Sequence, residues 1–149
     1  MGILSTVKAL LEADATLLAT ATGGVWDYDE TGRMGINRTT TKAAFDSDKR
    51  IKPCVLLKTR DRVPDGALAD DASQLLSYRQ ILEVWLYEDT GYANIDTMAD
   101  RVYVLLHGKR ISGTFHVAWT GDLRPGQRDL DLDANLQRAD YLIRATRSA

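Results

Sequence analysis

Residues 78–108 read YRQILEVWLYEDTGYANIDTMADRVYVLLHG. Side chains of an extended chain alternate between two faces. Leu82, Val84 and Leu86 therefore share one face, and Ile81, Glu83, Trp85 and Tyr87 share the other. Neither face is wholly polar. The pattern predicts a long central strand over 73–88, whose second face needs cover from this chain or from a partner. Asp89, Thr90 and Gly91 break the strand. From Tyr92 to His107 the apolar residues change period: Ile95, Met98, Val102, Leu105 and Leu106 form one stripe of an amphipathic helix. Gly108 follows as the expected residue after the helix C-cap.

Working outward, residues 3–20 predict a first amphipathic helix. Ile3, Val7, Leu10, Leu11, Leu17 and Leu18 approximate helical spacing, and Gly23-Gly24 ends it. Residues 25–28, VWDY, read as a short strand or an aromatic plug beside the core. Residues 29–52 carry little periodicity and many Gly, Thr, Asp, Lys and Arg, which predicts a long exposed polar loop or arm. Unstructured connections of that length are uncommon in compact domains and usually functional or disordered. PCVLLKTR (53–60) reads as a strand, and residues 61–71 as a loop with a Pro64-Asp65-Gly66 turn. FHVAWT (115–120) reads as a strand, residues 121–134 as a turn-rich excursion, and residues 136–146 as a final strand.

Strands that follow one another without crossover helices argue for antiparallel pairing. Two amphipathic helices bury their stripes most simply on one face of the sheet. The expectation is a two-layer α+β domain, with a mainly antiparallel sheet of about four strands and both helices on one face. The 149 residues fit one domain, and a chain of that size buries roughly 68–70% of its unfolded surface.

A net charge of −2 gives no overall electrostatic footprint for nucleic acid. Cys54 is the one cysteine, so no intrachain disulfide forms; within PCVLLK it reads as a small buried hydrophobe. Lys8, Glu12 and Asp14 interrupt the first apolar stretch, which excludes a signal peptide there. No apolar run reaches the ~18 residues of a spanning helix. The expected setting is reducing and aqueous.

Few residues suggest chemistry. Asp129, Asp131 and Asp133 in RDLDLDAN alternate, and on an extended segment they would point one way toward a hard cation. The EF-hand pattern is not met, because Ala134 replaces its glycine. Leu130 and Leu132 fit a strand with one solvated face equally well. His107 and His116 sit in no recognisable catalytic motif, and no Gly-rich phosphate cradle is present. Metal, cofactor and catalytic residues are therefore all expected to be absent. Arg33, Arg38, Lys42, Lys49, Arg50 and Lys52 cluster in the long loop, either as a solvated surface or as an arm toward a partner or DNA. Ile81, Trp85 and Tyr87 are the candidate subunit interface, since aromatic residues are enriched at interfaces.

The segments Val84–Tyr87 (VWLY), Thr90–Asp96 (TGYANID) and Leu105–Gly108 (LLHG), with VKALLEADATLLATATGGVWDYD near the start, resemble the tail terminator or tail-completion family of long-tailed bacteriophages. The similarity of order covers nearly the whole chain, and the tight residue match is confined to those three segments. The resemblance implies a structural virion protein at the head–tail junction, assembled in the host cytoplasm. It implies a ring, commonly a hexamer, that caps the tail tube and joins it to the connector, without enzymatic activity or cofactor. Expected partners are further copies of the chain, the tail-tube protein and a connector or head-completion protein, with DNA passing nearby and no membrane. Alternatives are another neck component, a soluble adaptor acting through the Trp85 face, or a small metal-dependent enzyme using the 129–133 carboxylates.

Overall fold

The computed structural model describes residues 2–64, 75–111, 115–124 and 128–148. Among them the elements run α1 (Ile3–Glu12), α2 (Ala15–Thr20), β1 (Val25–Asp27), α3 (Tyr28–Thr31), β2 (Cys54–Pro64), β3 (Leu75–Glu88), α4 (Ala93–Leu106), β4 (Lys109–Ile111), β5 (Phe115–Leu123) and β6 (Asn135–Ser148).

The strands form one six-stranded sheet in the order β1-β2-β3-β6-β5-β4. Every pair is antiparallel except β1 with β2. β3 is central, as its two-sided apolar pattern requires: it pairs with β2 along one edge and with β6 along the other. The expected four strands are joined by two three-residue edge strands, β1 and β4. β1 falls on 25–28, where a short strand is one of the two readings, whereas β4 is not expected, because three residues carry too little periodicity. β2 also continues to Pro64, past a bulge between Arg60 and Val63 where Asp61 takes φ +58°. Pro64 is thus a strand residue, and the rest of the expected turn lies outside the described residues.

The first sheet face carries the helices. Leu4, Val7 and Leu11 of α1, Leu17 of α2, and Ile95, Met98, Val102 and Leu106 of α4 are buried against Val55, Leu57, Leu82, Val84, Leu86, Tyr141 and Ile143. Burial of each such side chain contributes about 1.5–3 kcal/mol. The first predicted helix is two helices, broken at Ala13–Asp14. Asp14 turns its carboxylate back to accept the Leu17 N–H at 2.8 Å and so caps α2. Gly108 takes φ +71° just after α4, as a residue following a C-cap commonly does.

Among the described residues, the second sheet face is covered at one end only. Here the expectation of an exposed arm over 29–52 is corrected. This segment holds α3 and two 3₁₀ turns, Gly32–Met34 and Lys42–Ala44. It buries Ile36, Ala44, Phe45 and Ile51 against Cys54, Leu56, Tyr87 and Leu136, and Leu132 and Ala134 join from the turn before β6. Four buried apolar side chains spread irregularly over 24 positions show no period, because turns rather than a regular element present them.

Candidate functional site

The register lays out the second sheet face as successive rows across the strands. The covered end begins with Cys54–Tyr87–Leu136, followed by Leu56–Trp85–Arg138–Leu123. The third row is Lys58–Glu83–Asp140–Gly121, and the fourth is Arg60–Ile81–Leu142–Ala118. The fifth reads Val63–Arg79–Arg144–His116–Arg110 and spans five strands. The face therefore changes character along its length, from apolar to charge-paired to apolar to basic.

The middle rows hold an ion network. Arg60 donates from Nε to Glu83 Oε2 at 2.9 Å and approaches Asp140 Oδ2 at 3.6 Å. Arg138 contacts Glu83 Oε2 at 3.4 Å and donates from a terminal nitrogen to Asp140 Oδ2 at 3.2 Å. Its Nε lies 2.9 Å from Asp140 Oδ1 without hydrogen-bond geometry, an ion contact only. Glu83 is buried, so these two guanidinium groups compensate a carboxylate withdrawn from water. Trp85 sits among them: the Lys58 ammonium is 5.0 Å and the Arg138 guanidinium 5.7 Å from its ring centroid.

The open end is different. A shallow depression there is lined by Arg60, Val63, Arg79, Ile81 and Leu142 among others. Ile81, Leu142 and Ala118 are half-buried, while Arg79, Arg144, His116 and Arg110 are exposed. Neighbouring strands lie about 4.8 Å apart. Register alone lines up Arg79, Arg144, His116 and Arg110 across four strands at this end.

On the far side of the molecule, the outer face of α4 forms a second patch. Tyr103 stacks on His107 at 4.7 Å and meets Trp119 edge-on at 5.7 Å. His107 Nδ1 accepts the Trp119 backbone N–H at 3.0 Å, which puts the ring proton on Nε2. Tyr103, Val104 and Trp119 remain 41%, 55% and 41% exposed.

No family model matches this chain, and no curated protein matches it. Among solved structures, it is similar to a chain in the virion of a native gene transfer agent (GTA) particle. The TM-score is 0.60 at 17% sequence identity, over 99% of this chain and 95% of that one. The likeness shows a shared fold.

Of the three residues singled out for an interface, Tyr87 is 5% exposed and packs within the second core. Trp85 is partly covered by Lys58 and Arg138, and Ile81 lines the open depression. The basic residues of 29–52 have different settings, with Arg33 and Arg38 lining one depression beside Lys58. Arg38 is a staple: it donates to the carbonyls of Lys49, Asp131 and Leu132 at 3.0, 3.1 and 3.2 Å, with its guanidinium 5.0 Å from the Phe45 ring centroid. Arg50 lies 4.0 Å from Asp89 with its side chain 69% exposed. Arg33, Lys42 and Lys49 are exposed.

The three aspartates do not alternate along a strand. Asp129 and Ala134 bridge backbone to backbone at 2.8 and 3.1 Å, closing a turn. Asp129 Oδ1 accepts the N–H groups of Asp131 and Leu132, and Arg128 lies 3.3 Å from the Asp133 carboxylate. Among the described residues, no group of three or more His, Cys, Asp or Glu side chains is placed to hold a metal ion. The basic row was missed in the sequence because its members come from four strands and meet only through register. The one local sign was Arg138 and Arg144 on the same face of β6.

Proposed function

We propose that this chain is a structural virion protein of a phage-like particle, and that it forms a ring at the head–tail junction. In that role it terminates the tail tube and joins it to the connector. The single observation that carries the reading is the fold likeness, over nearly the full length of both chains, to a protein of a GTA virion. The order of elements behind the tail-terminator resemblance agrees with it. The two-layer scaffold suits such a role, because its exposed features are broad surfaces and its buried carboxylates are engaged in ion pairs or helix capping.

A ring is built from one heterologous interface repeated until its rotation closes. Partners in the assembled particle are further copies of the chain, a tail-tube protein and a connector or head-completion protein. Negative-stain imaging and light scattering of the purified chain, alone and with tail-tube protein, test the reading. Closed rings, or rings seated on tube ends, are the expected result. A strict monomer at high concentration under both conditions would defeat it.

A further inference from the structure

We draw no further inference here: the strongest candidate, the exposed aromatic patch of Tyr103, Val104 and Trp119 on the outer face of α4, carries nothing because no feature of the described residues shows what covers it.

Discussion

Glu88, the last residue of β3, holds Asn94 in the first turn of α4 through two bonds. Its carboxylate accepts the Asn94 backbone N–H at 3.0 Å and the side-chain amide at 2.7 Å. It also accepts the Ile95 N–H at 3.2 Å. Tyr92, at the N-cap itself, offers no side-chain bond. The strand end therefore caps the helix that follows it, and a negative charge sits where the helix dipole favours one. Glu88→Ala leaves three N–H donors, two of them backbone, without this acceptor and should cost about 1–3 kcal/mol in urea unfolding. Glu88→Gln keeps an acceptor and should cost less. Equal stability of Glu88→Ala and wild type would show that the cap contributes nothing.

Asp14 links three helices. It caps α2, and its two oxygens take a bidentate grip from Arg101 of α4 at 2.8 and 2.7 Å, close to the α1 C-terminus. The Arg101 guanidinium, aided by the Leu17 N–H, holds the Asp14 carboxyl down at about 2. An aspartate in an unfolded chain titrates near 3.9. The folded value is lower, so the pair's stabilisation is fully present above about 4 and is lost as pH falls through about 2. Acid unfolding of Asp14→Asn should lose part of the pH dependence in that window. An unchanged slope between wild type and variant would refute the assignment.

Gly23 is set where the α2 exit touches the start of β2. Its N–H donates to the Pro53 carbonyl at 2.8 Å. A Cβ there would lie 2.9 Å from the Cys54 Cβ and 3.0 Å from the Lys52 carbonyl oxygen. Both neighbours are anchored, so Gly23→Ala forces backbone movement and should destabilise by about 1–3 kcal/mol. A thermal midpoint equal to wild type would mean that the contact relaxes freely.

Cys54 is fully buried in the second core, and burial pushes its thiol well above the ordinary range. The thiolate is the reactive form. Native protein should therefore resist a thiol reagent at mildly alkaline pH and react fully in urea. Rapid native labelling would contradict the packing of β2 against the 29–52 segment.

Arg38 is the tie between that segment and the turn before β6. Arg38→Ala should cost about 1–2 kcal/mol and speed proteolysis within residues 29–52. Arg38→Lys should not rescue it, because three carbonyls are met by a planar fork that an ammonium lacks. Cleavage at the wild-type rate in both variants would remove the proposed tie.

How much was legible beforehand follows from periodicity. β3 and α4 are long and strongly patterned, so their type, order and approximate ends are readable from residues 78–108. β6 is read within two residues at each end, from regular alternation of small or apolar side chains with charged ones. The first helix was readable as helix but not as two, because the decisive act is Asp14 capping α2 while gripped by a residue 87 positions away. Residues 29–52 were misread for a related reason. Their buried side chains obey no repeat, and their polar groups, Arg38 above all, are satisfied by distant backbone. The acidic run at 129–133 reads as alternation until Asp129 closes it into a turn.

The sequence by itself determined the layers: a two-faced central strand, an adjoining helix and a further helix that must cover one face, since local periodicity commits each segment to an element and a buried side. Only the tertiary structure decided what lies on the second face. Strand register is a long-range choice that a single strand's pattern does not reveal, and it is register that covers Tyr87, half-covers Trp85 with cations and aligns Arg79, Arg144, His116 and Arg110 into one row.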